Sequence, residues 1–207
     1  DWLWKEPLTH GSEKKLFRPS EISSNSKGLT GCFRPINKEQ QYALAYGRLA
    51  HRMLEILPGV SPKARHKYAA EIARSEIEVP GPLMRELTKQ VTLLIECSKL
   101  APLFGNGALT EVPIHGTVGN HVVTGRIDRL YVDSDRVIIA EFKTGTKSSG
   151  KPPLQYCQQL SLYHALLKQI YPDRQIHCWI VWIENCQVQE VDSSARKSAL
   201  ARFFSSE

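Results

Sequence analysis

The sequence has no run approaching the roughly 18 consecutive apolar residues of a membrane-spanning helix, so none is expected. Its start, Asp1-Trp2-Leu3-Trp4-Lys5-Glu6-Pro7, lacks the charged-then-apolar order of a secretory leader. It also lacks an initiator Met, and the chain is expected to be a piece of a longer polypeptide. No Cys-x-x-Cys pair occurs, and the five cysteines (Cys32, Cys97, Cys157, Cys178, Cys186) are odd in number. A zinc site or a disulfide framework is therefore poorly supported, and a reducing cytoplasm fits better. No iron–sulfur cluster is expected, because Cys97 falls within an apolar helical pattern where a buried thiol is the simpler reading. Neither G-x-x-x-x-G-K-[ST] nor G-x-G-x-x-G is present, so no nucleotide pocket is expected. There are no internal repeats.

What is present suits one domain, with or without an appended part: 207 residues, 42% of them hydrophobic. The formal charge of +6 mildly favours a polyanionic partner. Residues 1–36 read as an extended arm and loop, with a Ser/Asn/Gly-rich stretch before Gly31. The rest, 37–207, reads as the main domain: a helical part over 37–104, a sheet-bearing core over 105–192 and a C-terminal helix over 193–207. Asn37 with Gln40 predicts a capping box. The helix it starts carries Tyr42, Ala45, Tyr46, Leu49, Met53 and Ile56 on one stripe, and Pro58-Gly59 ends it. Further helices are predicted from Ser61 to Ile77 and from Pro82 to Leu100.

The period then changes. Leu109–Thr117, His121–Val132 and Arg136–Lys143 read as strands joined by turns at Gly119-Asn120 and Asp133–Asp135. A helix over Leu154–Ile170, strands over Gln175–Ile183 and Val188–Val191, and a helix from Ser193 or Ser194 to Phe204 follow. This order predicts an α/β layered domain with a mixed sheet.

The chemistry centres on Val137–Gly145. An apolar run of the kind that is buried on both faces ends in Glu141-Phe142-Lys143. Side chains alternate along a strand, so Glu141 and Lys143 share a face and Phe142 takes the other. Pairing this strand with His121–Val132 brings Asp128 near Glu141. Two carboxylates at that range repel unless one is protonated or a cation lies between them. On the strand, Thr124, Arg126, Asp128 and Leu130 are expected to share a face. The plain alternative pairs Asp128 with Arg126 or Arg129. Asp128, Glu141 and Lys143 together suit Mg²⁺ held by hard oxygens, with Lys143 orienting a water or stabilising a phosphate. His51 points away from the apolar stripe of its helix, with Gly47 one turn below leaving room beside the imidazole. Gln155, Gln159 and Tyr163 repeat every four residues on one helix face.

In that order, Gly47-x-x-x-His51, Gly125-Arg-Ile-Asp128-Arg, Glu141-Phe-Lys143-Thr-Gly145 and Gln159-Leu-Ser-Leu-Tyr163 resemble the PD-(D/E)XK nuclease superfamily. Within it they look like the RecB-type nuclease domains of bacterial AddAB and RecBCD helicase–nucleases. The resemblance implies a restriction-endonuclease-like mixed sheet flanked by helices, with an N-terminal helical region. It implies Mg²⁺-dependent hydrolysis of DNA, Mn²⁺ substituting, during double-strand-break repair by homologous recombination. It further implies that His51, Asp128, Glu141 and the backbone carbonyl of Phe142 hold the metal. Lys143 would be the catalytic lysine, with Gln159 and Tyr163 lining the site near the DNA backbone. Gln155, Lys147 and Lys151 are candidate DNA contacts, the two lysines being equally readable as a solvated loop. Many relatives have Asp-Tyr-Lys where this chain has Glu141-Phe142-Lys143. The four-cysteine set of the family's iron–sulfur members is not found. The implied partners are single-stranded DNA ends, an upstream helicase motor in the same chain and an AddB-type subunit, in a bacterial cytoplasm at the nucleoid. A non-catalytic DNA-binding module and a stand-alone phage-type exonuclease are the rival expectations.

Overall fold

The structure, a computed structural model, describes residues 16–19, 37–74, 80–145 and 150–205. The expected N-terminal arm and loop lie almost wholly outside these residues. So does Lys147.

The helical half opens with α1 (Lys38–Ile56). The Asn37 side chain accepts from the Gln40 amide at 2.8 Å and the Gln40 side chain accepts from the Asn37 amide at 3.2 Å, closing the expected capping box. A 3-10 turn at Pro62–Ala64 precedes α2 (Arg65–Ala73). Next come α3 (Gly81–Glu96) and the short α4 (Ala101–Phe104). The sequence predicts one helix as far as Leu100, but the chain leaves it at Cys97. Pro102 has no N–H to give to the Ser98 carbonyl, and the chain restarts with Pro102 in the first turn of α4.

Among the described residues, six strands form one mixed sheet: β1 (Leu16–Phe17), β2 (Ala108–Val118), β3 (His121–Val132), β4 (Arg136–Lys143), β5 (Gln175–Trp182) and β6 (Gln187–Glu190). Between β4 and β5 lies α5 (Leu154–Ile170), a crossover that makes those strands parallel. The chain's last described element is α6 (Ser193–Ser205). One core packs α5 and α6 on one sheet face, around Ile127, Leu130, Ile139 and Tyr163. A second packs α1 to α4 on the other, around Leu49, Leu87, Ile138 and Phe142. The result is a helix–sheet–helix sandwich, the predicted restriction-endonuclease-like α/β architecture. No helix among the described residues is long and apolar enough to cross a membrane.

β3 positions everything that follows. Along one edge it pairs with β2 from Val118↔His121 to Ala108↔Tyr131. Its other edge is divided, with β1 at Val122–Val123 and β4 at Arg129–Val132. Between them no strand among the described residues pairs with this edge, and Asp128 lies at the point where β4 departs.

The expectation that Leu130 shares a face with Thr124, Arg126 and Asp128 is corrected here. Ile127 and Leu130, three residues apart, lie in the same core, which strict alternation forbids. Arg129 between them reaches the carbonyl of Leu54 on the opposite side. The alternation therefore changes phase at Asp128. β2 changes with it: the pairing skips Glu111, which faces Asp128 in register and has φ 52°.

Candidate active site and metal centre

β4 behaves as its sequence predicts. Phe142 enters the α1–α4 core and stacks near Phe104, while Glu141 and Lys143 face α5. The Lys143 ammonium lies 2.8 Å from Glu141 Oε1. Glu141 Oε2 is buried without a hydrogen-bond partner. A carboxylate oxygen in that state costs free energy unless a cation or donor meets it.

Asp128 comes from the phase change in β3. Its Oδ2 accepts the Phe142 N–H at 2.8 Å, so a side chain takes an amide that a continued ladder would have used. Its Oδ1 lies 3.5 Å from His51 Nδ1. The alternative pairing of Asp128 with an arginine is not seen: Arg126 pairs with Glu111 and Arg129 bonds the Leu54 carbonyl. Burial first, and then the negative charge of Glu141, holds the Asp128 carboxyl well above the usual carboxylate range.

His51 projects from α1 into the same space. Nothing lies within 4 Å of a Cβ placed on Gly47, so the open space expected beside the imidazole is present. Burial lowers the imidazole's pKa, against the pull of Glu141, and a hydrogen bond to the Phe142 backbone also holds it. A neutral imidazole keeps a lone pair for a metal. For Lys143, burial works to lower the pKa, but Glu141 outweighs it and the ammonium is held above its usual value.

Gln159 and Tyr163, both buried, come from α5. The Tyr163 oxygen accepts the Arg126 N–H at 3.3 Å, closing part of the open edge of β3, and Gln159 hydrogen-bonds it as well. Burial, with the charge of Glu141 adding, pushes the phenol up to about 12. Gln159 Oε1 is buried and unpaired. Gln155, one turn earlier, is half-buried. Lys151 does not join this group; it is exposed and lines a separate cavity with Asp192 and Arg202.

Two residues escaped the sequence reading. Glu111 groups with His51 and Asp128, one ligand atom from each lying within 4.8 Å of the others. Hairpin arithmetic points to it, since counting back from Val118↔His121 sets Glu111 opposite Asp128. Tyr156 carries the Lys143 ammonium 4.6 Å from its ring centroid, and its own ring meets Trp182 edge-on at 6.1 Å. It shares a helix face with Gln159 and Tyr163 at the spacing i, i+3, i+7.

His51, Glu111, Asp128, Phe142 and Lys143 line an open cleft of about 540 Å³. One imidazole, several carboxylate oxygens, an unpaired buried oxygen on Glu141 and a depressed tendency of Asp128 to ionise all fit a divalent cation that prefers oxygen ligands.

A mixed sheet whose interrupted central strand delivers a carboxylate to a Glu-x-Lys strand end is the arrangement of a nuclease fold. The sequence profile of the PD-(D/E)XK nuclease superfamily matches residues 26–204, and the chain belongs to that superfamily. No curated protein matches it. Among solved structures, the crystal structure of SSO0001 is similar at 18% identity and a TM-score of 0.38, over 97% of this chain and 80% of that one. A likeness that slight bears on neither site nor activity.

Proposed function

We propose that the chain is a divalent-metal-dependent deoxyribonuclease. The observation that carries this reading is the meeting of Glu141 and Lys143, 2.8 Å apart at the end of β4, with the His51–Glu111–Asp128 group. His51, Asp128, Glu141 and the Phe142 carbonyl would hold Mg²⁺ or Mn²⁺, with Glu111 added to the expected set. A cation bound there would lower the pKa of a water and neutralise charge on a phosphate.

The chain's own groups supply the rest. Hydrolysis joins a water oxygen to phosphorus, breaks the bond to the 3′-oxygen and passes a proton to that oxygen through solvent. Lys143, held as an ammonium by Glu141, donates toward the phosphate oxygens or the attacking water and is not a base. Asp128 bonds the Phe142 amide and thereby fixes the backbone at which the adjoining carbonyl is presented. Gln159 and Tyr163 close the α5 side of the site against β3.

At the finer level, the order of motifs supports a place in an AddAB/RecBCD-type helicase–nuclease that trims single-stranded ends during recombinational repair in a bacterial cytoplasm. A helicase motor upstream and an AddB-type partner belong to that reading, as does the division into an arm over 1–36 and a nuclease domain over 37–207. The activity is tested with a labelled DNA strand in Mg²⁺. Cleavage by the wild type and none by Asp128→Ala, with both proteins folded, supports the nuclease. Full cleavage by Asp128→Ala contradicts it.

A further inference from the structure

The apolar stripe of α1 runs past the cation cleft in an unexpected way. Tyr42, one turn and more before Gly47, shares its spacing with the buried Ala45, Leu49 and Met53, yet it is 46% exposed. Leu83 of α3 is 50% exposed. With Tyr46 these side chains line a pocket of about 400 Å³. The pocket adjoins the cation cleft, with Ala43 and Thr144 lining both. Thr144 follows Lys143 directly, and Gly145 after it has φ +103° with nothing within 4 Å of a Cβ placed there. A ligand can therefore approach this backbone closely.

The two adjoining sites differ in character. Arg48, Arg52 and Lys143 line the cation cleft together with Glu55, Glu111 and Asp128, and a divalent cation held by the carboxylates would make it favour a phosphate. Among the described residues, the second pocket is lined by no lysine or arginine and by one carboxylate, Glu184. That carboxylate disfavours phosphate and suits the exocyclic amine of an adenine or a cytosine. The Tyr46 hydroxyl donates to Gln90 Oε1 at 3.3 Å, which fixes its ring as a wall of the pocket. One phosphate-favouring site and one apolar site then lie side by side, as a phosphate and its unstacked base do on a single strand.

We propose that the Tyr42–Tyr46–Leu83 pocket holds one unpaired base of the DNA strand whose phosphate enters the cation cleft. The subsite rests on the nuclease reading for its substrate and gives that reading's single-stranded ends a binding site for a base. A base still stacked and paired in a duplex cannot turn into the pocket.

The test measures binding of the full chain in Ca²⁺ to two oligomers of equal length, a mixed-sequence single strand and one built wholly of abasic residues. Tyr42→Ala and Leu83→Ser alter exposed side chains, and their unfolding temperatures are checked first against the wild type. The subsite predicts that each variant weakens binding of the base-bearing strand about tenfold. It predicts no change for the abasic strand. Unchanged binding of the base-bearing strand, or an equal loss on both, overturns it. Cleavage in Mg²⁺ is read separately. A wild type that distinguishes the two strands but cuts neither contradicts the nuclease reading and upholds the subsite. A wild type that cuts while both variants bind normally overturns the subsite alone.

Discussion

Gly125 and Tyr163 are fitted to each other. A methyl group placed on Gly125 would overlap the Tyr163 hydroxyl and lie 2.8 Å from its Cε1. Tyr163 is fully buried and cannot withdraw. The glycine is there because the phenol must reach the open edge of β3 and accept the Arg126 N–H. Two motifs 38 positions apart in the chain are thus one packing unit.

Gly125→Ala is therefore expected to destabilise the protein by about 1–3 kcal/mol through overpacking. Tyr163→Phe leaves the part-buried Arg126 amide without its acceptor and costs about 1 kcal/mol. Urea unfolding measures both. A double variant in which the two losses fail to add shows that they act on one contact.

Without metal, Asp128 works against stability. Its folded pKa lies above the unfolded one, so the unfolded chain gives up the proton first as pH rises. Stability contributed by the protonated form is present at pH below the unfolded value and is lost as pH climbs toward the folded one. Asp128→Asn keeps an acceptor for the Phe142 amide and removes the charge. In EDTA at neutral pH it is expected to raise Tm, by roughly 3 °C for each kcal/mol recovered. Mg²⁺ should then stabilise the wild type more than the variant. An unchanged Tm in EDTA would show that Asp128 is not strained in the empty site.

Tyr156 positions Lys143 through its ring face rather than its hydroxyl. Tyr156→Phe retains the ring and is expected to keep wild-type kcat. Tyr156→Leu should lower kcat about tenfold with little change in KM. Equal losses in both variants would point instead to a structural role for the hydroxyl.

His164, on α5 away from the cleft, sets an acid limit. Burial first, with Arg196 and Lys168 adding, lowers its pKa to about 4. The unfolded chain binds a proton at its ordinary pKa near 6.5, so stability falls as pH drops from there toward 4. His164→Gln is expected to flatten the dependence of the urea midpoint over that window. A wild-type slope in the variant would assign the loss to other groups.

The sequence made the fold and half of the site legible because those parts obey local periodicities. The capping box at Asn37, the apolar run ending at Glu141-Phe142-Lys143 and the Gln159/Tyr163 spacing each follow from one element's own geometry. The remainder depends on contacts between elements. The phase change at Asp128 comes with φ 52° at Glu111, a residue type that seldom adopts such a conformation, and no periodicity announces it. Tyr156 was overshadowed by the four-residue repeat beginning at Gln155. Tyr42 fits the inward stripe of α1 by spacing, yet it lines an open pocket and is 46% exposed.

The most direct test of the nuclease assignment is the rate at which the folded chain hydrolyses a labelled single strand in Mg²⁺, compared with Lys143→Ala under the same conditions. The account predicts cleavage by the wild type that EDTA stops and Mn²⁺ restores, and none by Lys143→Ala despite an unchanged unfolding transition. Metal-independent cleavage, or a Lys143→Ala protein that cuts at the wild-type rate, would contradict it.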